Sequence, residues 1–198
     1  MITIHPSMNL IKRIRPVGSN EGTVDAEHIM RTWYCSYRIV RSRHMVMALN
    51  EETLLPVVAP LTSMTKTAGP TLQRLVHAGL YSFGIPGEII VRECAAMGAW
   101  SVEKRINRSM TGWMNDIWHS VVHMIDAGLP DADIACRVTD WIYGSIPRDV
   151  SPSTFSSPHE MAWWRLLGIR PTTRYPDREI MFPRWREGWG EGHDDIHS

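Results

Sequence analysis

Residues 104–126 constrain the fold of this chain more than any other stretch. They run from a polar turn into the most strongly amphipathic segment of the sequence. Set 100° apart, Met110, Trp113, Met114, Ile117, Val121, Met124 and Ile125 share one face. Gly112, Asp116, His119, His123 and Asp126 share the opposite one. The spacing predicts a long helix capped at its start by Ser109, whose hydroxyl can accept a free amide of the first turn. Gly128, Leu129 and Pro130 stop it.

The segments before it alternate with period two. Residues 1–5 read as a first strand, halted by Pro6 and Ser7, and Ser7 is placed to start a helix over 8–15. Residues 33–40 predict a strand with Trp33, Cys35, Tyr37 and Ile39 on one face and Tyr34, Ser36, Arg38 and Val40 on the other. A turn at 41–43 leads to a nearly all-apolar strand over 44–49, a second turn at 50–52, and a strand over 53–58. Pro56 pushes that third strand to a sheet edge. Residues 60–70 read as a polar connection, 70–83 as a helix ended by Gly84, 86–97 as another, and 100–105 as a last short strand. A further helix is expected over about 131–143.

With 198 residues the chain has room for one sizeable core. The fold expected is α+β: a single domain with an antiparallel sheet of four or five strands, packed by several helices on one side. Residues 1–147 form the expected core domain. Residues 148–198 are a C-terminal extension, one short helix near 158–167 followed by a poorly ordered Trp/Arg/Gly-rich tail.

Zero net charge gives no global field toward nucleic acid or membrane. Residues 1–50 nevertheless carry seven basic side chains against three acidic ones, a local excess of +4. No apolar run approaches the roughly 20 residues that span a bilayer, and no leader pattern opens the sequence. Cys35, Cys94 and Cys136 are widely spaced without a C-x-x-C pair, which fits buried free thiols in a reducing cytoplasm.

Several stretches occur in order: I-T-I-H at the start, Trp33-Tyr34, the run from Leu49 to Val58 containing N-E-E-T-L-L-P-V, and the run from Asn107 to Asp116 containing N-R-S and M-N-D. Together they resemble a bacterial family known as a domain of unknown function, with the patterns W-Y, V-N-E-x-T-L-L-P-V and N-R-S-x-x-G-x-M-N-D. The resemblance covers residues 1–130. It departs at Pro6-Ser7, where the family pattern has Cys-Thr, and in the Trp-rich tail. It implies a compact intracellular α+β domain and no particular reaction.

Chemistry concentrates at the start of the long helix. Free amides, the positive end of the helix dipole and the Arg108 guanidinium converge there, so Asn107, Arg108, Ser109 and Gly112 form a candidate anion site. Asn115 and Asp116 lie one to two turns further in and can orient a water or hydroxyl, and His5 can serve as a general base if the fold brings it close. These three are the candidate catalytic residues. The plainer alternative is that Asn107 and Ser109 cap while Arg108 pairs with Glu103 or Asp116. Arg38, Arg41 and Arg43, with Tyr34 and Tyr37 nearby, form a candidate nucleic-acid surface; the alternative is edge charge that blunts sheet pairing.

His119 and His123 have metal-ligand spacing but lack the intervening Glu of metalloproteases, so no metal and no cofactor is expected. Neither Walker nor dinucleotide loops nor a G-x-S-x-G elbow occur. The expected function is accessory or regulatory binding of an anionic partner, a nucleic acid or nucleotide. The alternatives are a nuclease-like hydrolase using His5, Asn107, Arg108, Asn115 and Asp116, and a protein-interaction module working through the tail that holds Trp185 and Trp189.

Overall fold

A computed structural model describes residues 2–13, 28–98, 100–130, 133–134, 137–138 and 158–168, with the side chains of 65–69, 158 and 159 left aside. Cys136, the loop over 16–27, most of the helix expected at 131–143 and the tail beyond 168 lie outside the described residues.

The sheet has five strands: β1 (Ile2–Pro6), β2 (Thr32–Val40), β3 (Arg43–Asn50), β4 (Pro56–Pro60) and β5 (Trp100–Val102), in the spatial order β4-β3-β2-β1-β5. Among the described residues lie the helices α1 (Met8–Ile11), α2 (Leu61–Ser82), α3 (Gly87–Ala95), α4 (Arg108–Asp126) and α5 (Pro158–Leu167), and 133–134 and 137–138 are helical as well. The architecture is α+β. The β2-β3-β4 meander is antiparallel, as the period-two reading predicts. β1 instead pairs in parallel with both β2 and β5. Both pairings are open to it because α1 lies between β1 and β2, and α2 and α3 precede β5, so the chain returns to the same end of the sheet.

Arg41 and Ser42 close the β2-β3 hairpin, both with positive φ (47° and 66°). Two left-handed residues match the twist of the flanking strands, so the turn needs only two residues and β3 starts at Arg43. The strand expected from residue 53 begins only at Pro56. Asn50 explains the delay: its Oδ1 accepts from the amides of Glu52 (3.1 Å) and Thr53 (2.9 Å), and Leu54 adopts φ 55°. That side chain holds residues 51–54 as a tight loop against the strand propensity that follows it. Pro56 does lie on an edge strand, where its missing N–H leaves no ladder bond unmade.

Residues 61–69 are helical, which corrects the polar connection expected there. Pro70 lies inside α2. Thr71 Oγ1 donates to the carbonyl of Ser63 at 3.1 Å, although residues eight apart on a straight helix are separated by about 12 Å. The axis therefore turns sharply ahead of Pro70, as a ring that removes one helix bond and crowds the preceding turn requires. Gly84, at φ 70°, ends α2.

Helices cover both faces of the sheet, not one. Against one face, Ile2, Ile4, Trp33 and Cys35 join Leu72, Val76 and Leu80 of α2, Ile90 and Cys94 of α3, and Ala162 and Leu166 of α5. Against the other, Tyr34, Met45, Met47 and Leu49 join Met114, Ile117, Trp118 and Val121 of α4, with Ile134 and Val138 completing the cluster. The strands β2 and β3 are apolar on both sides, so a single helical layer would leave half of that surface in water.

One buried carboxylate ties the entry to β2 onto α3. Glu93 Oε2 lies 2.7 Å from His28 Nδ1 and accepts the amides of Ile29 and Met30, each at 3.1 Å. Burial alone would raise the Glu93 pKa, but the hydrogen bonds from His28 and from the two amides outweigh it and hold the carboxyl below its ordinary value. Its stabilising contribution is therefore complete above the ordinary carboxylate range and fades as pH falls through the lower folded value. Glu93→Ala is expected to cost about 3 kcal/mol at neutral pH and to flatten the decline of Tm as pH falls below the ordinary carboxylate range. Parallel thermal melts of both proteins across that range check it.

Candidate functional site

The head of α4 is built from an extended residue followed directly by a helical one. Asn107, at φ −124° and ψ 111°, is the cap, and its Oδ1 accepts the Met110 amide at 3.2 Å. Ser109, expected in that role, is already inside the first turn and exposed. Asn and Ser cap about equally well, so the choice falls to whichever residue the preceding chain holds in an extended conformation. The cap amide points elsewhere: Asn107 Nδ2 donates to Glu51 Oε1 at 3.2 Å.

Glu51 is the hub of this region. It projects from the tight loop after β3, and Oε1 also accepts the Tyr34 hydroxyl at 3.2 Å. Arg105 Nη1 stands 3.5 Å from Oε2, with 58% of the arginine side chain exposed. Burial is the main cause of the raised Tyr34 pKa, opposed by the Asn107 amide and reinforced by the Glu51 charge. His5 lies beside Tyr34, ring centroids 5.0 Å apart, and its Nδ1 is 2.9 Å from the Glu103 carbonyl. Four stretches distant in sequence, around residues 5, 34, 51 and 107, thus meet at one point.

The hairpin arginines fasten α4 to the sheet. Arg38 Nη2 donates to Asn115 Oδ1 at 2.7 Å, and its guanidinium lies 5.6 Å from the Trp118 ring centroid. Trp118 is fully buried, with Nε1 donating to Ser36 Oγ at 2.7 Å. Arg41 Nε meets Asp126 Oδ1 at 2.8 Å, and Arg43 Nη1 reaches the Leu129 carbonyl at 3.0 Å. The Arg41–Asp126 hydrogen bond raises the arginine pKa and lowers the carboxyl pKa, each side favouring its partner's charged form.

The residues singled out by sequence therefore fall into three groups. His5 and Asn107 belong to the Glu51 cluster. Arg38 and Asn115 bond each other, while Arg41 and Arg43 hold the far end of the same helix. Arg108, Ser109, Gly112 and Asp116 are exposed on α4, and no described hydrogen bond or ion pair joins Arg108 to Glu103 or Asp116. A Cβ added at Gly112 would meet nothing within 4 Å, so the surface there is open. No described hydrogen bond connects His5 with Asn115 or Asp116. Glu51, Tyr34 and Arg105 were not among the residues expected at this site. Glu51 reads in sequence as part of a polar turn and Tyr34 as a strand residue near the hairpin arginines; their places in the resembling N-E-E-T-L-L-P-V and W-Y stretches are the signals that could have flagged them.

Among the described residues no three His, Cys, Asp or Glu side chains are grouped to hold a metal ion. No described helix is long and apolar enough to cross a membrane. Burial pushes the Cys35 thiol up to about 12 and, with help from the Glu93 charge, Cys94 up to about 11. Neither can act as a thiolate at neutral pH.

The model of a family described as a domain of unknown function (DUF6933) matches residues 3–161. The chain belongs to that family. The DUF6933 match extends past residue 130, where the resembling stretches end, and reaches into α5. No curated protein and no solved structure matches the chain.

Cap assignment gives a direct test in this DUF6933 domain. Asn107→Ala is expected to lose about 1–2 kcal/mol, because both the Met110 amide and the Glu51 carboxylate lose a partner, whereas Ser109→Ala should stay within about 0.5 kcal/mol of the parent. Urea unfolding of the two variants reads the difference. In a Cys136→Ser background, no thiol should react with an aromatic disulfide reagent at pH 8 until the protein unfolds.

Proposed function

We propose that this domain binds a polyanionic partner, a nucleic acid, in an accessory or regulatory role, and that the contact face is the head of α4 with the loop before it. Lys104, Arg105 and Arg108 are all exposed there within five residues. Ile106, 82% exposed, supplies apolar surface between Arg105 and Arg108, and Trp113, 37% exposed, offers an aromatic ring further along α4. Phosphates are held by such cations and by free amides of a first helical turn, and bases pack on exposed aromatic rings. One observation carries the reading: Arg108 is exposed with no described partner, while each arginine of the β2-β3 hairpin is engaged with α4 or the carbonyl just beyond it. The hairpin arginines then act as supports that hold α4 in place, with Arg41 neutralised by Asp126 at the far end of that helix.

The hydrolase reading has one point of support. The His5 ring packs against the Tyr34 ring, and the Tyr34 hydroxyl donates to the Glu51 carboxylate beside the Asn107 cap, which brings an imidazole, a phenol and a carboxylate into one neighbourhood. Asn115 and Asp116 enter that reading less readily, since Asn115 is held by Arg38 and Asp116 faces outward. The protein-partner reading concerns the tail beyond residue 168.

Retention on an immobilised single-stranded oligonucleotide tests the main reading. The wild-type protein should be held at about 50 mM salt and released well below 1 M, and Lys104→Ala/Arg108→Ala should lower the salt slope by about 0.7 for each phosphate that is no longer neutralised. Arg38→Ala should instead lower Tm, because Asn115 is left without its guanidinium donor. Flow-through of the wild-type protein at low salt would overturn the reading, and turnover of the oligonucleotide that His5→Ala abolishes would favour hydrolysis.

A further inference from the structure

Glu51 sets a carboxylate against Arg105, one of the three cations of this face. The carboxylate is oriented rather than free: Oε1 accepts both the Tyr34 hydroxyl and the Asn107 amide, at 3.2 Å each, and the side chain is 23% exposed. Its second oxygen faces Arg105 at 3.5 Å, too long for a strong hydrogen bond but close enough for charge attraction. Among the described cations of the face, Arg105 is thus the one with an internal counter-ion, and Arg108 beside it has none described.

Resting on the polyanion reading above, we infer that Glu51 is a specificity-determining residue: a built-in competitor that occupies Arg105 and sets the face for ligands with several adjacent negative charges. A single carboxylate or a chloride ion would have to displace Glu51 from Arg105 while sitting near its negative charge. A phosphate chain engages Lys104 and Arg108 first and then draws Arg105 away from a long, exposed pair that is weak to begin with. Asn107 holds Glu51 with one end of its amide and caps α4 with the other, so the competitor and the helix head are fixed to each other.

Glu51→Gln tests this, because the amide keeps an acceptor for Tyr34 and Asn107 and removes only the charge. Fluorescence anisotropy with a labelled single-stranded DNA oligonucleotide should show about two- to fivefold tighter binding than wild type, the range expected for releasing one exposed pair. Arg105→Ala should weaken binding, and Glu51→Gln should then add little to the Arg105→Ala protein. Inorganic phosphate should compete with the oligonucleotide better against Glu51→Gln than against wild type. Equal or weaker oligonucleotide binding by folded Glu51→Gln, in a protein whose binding still depends on Arg108, overturns the role of Glu51 alone. Absence of binding by wild type and Glu51→Gln alike overturns the polyanion reading and this inference together. Should Glu51→Gln fail to fold, the Arg105 Nε–Hε resonance of the wild-type protein decides: it should move on adding oligonucleotide, and a stationary resonance overturns the inference.

Discussion

A sheet whose central strands are apolar on both sides has to be covered twice, and most of this molecule follows from that requirement. β2 sends Trp33 and Cys35 one way and Tyr34 the other, and β3 does the same with Ala48 against Met47 and Leu49. The face that carries Trp33 and Ala48 takes the bent α2, α3 and α5. The face lined by methionines takes α4, whose Trp118 is buried to the last atom. Burial of each such side chain stabilises by about 2 kcal/mol, so neither layer is optional.

The position of α4 then fixes where chemistry can occur. Its axis follows β2, with Asn115 opposite Arg38 and Asp126 opposite Arg41, so its amino end lies over the start of β2 beside Tyr34. There the loop after β3 delivers Glu51. Polar groups gather at this end because it is where strand termini, a loop and a helix start all bring backbone to the surface.

Much of the fold was legible in the sequence because its signals are periodic. Alternation in 33–40, the apolar run of 44–49 and the glycine ends of α2 and α4 each act within a few residues and appear where the pattern places them, whereas the stripe of α4 is rotated, with Trp118 buried in it and Trp113 left 37% exposed. What periodicity cannot carry is pairing between distant segments. Nothing near Ile2 or Trp100 says that β1 joins β5 in parallel. Nothing in a stretch rich in Leu and Thr around Pro70 says that a bent helix passes through it, since proline ordinarily argues for an end. The site was half legible for the same reason. Asn107 and Arg108 stand out as polar residues at a helix start, although the cap expected at Ser109 lies at Asn107. Glu51 becomes chemical only when a loop 56 positions away in sequence is folded against Asn107. The hairpin arginines read as a surface because charge was visible in the sequence and their partners on α4 were not.

The two neighbouring acids of the β3-β4 loop reach in opposite directions. Glu51 holds the head of α4 on one side of the sheet, and Glu52 meets Arg165 of α5 at 3.2 Å, with α5 packed on the other side. A single peptide unit therefore carries one contact to each helical layer, and the β3-β4 loop ties the head of α4 and α5 to the same short piece of backbone.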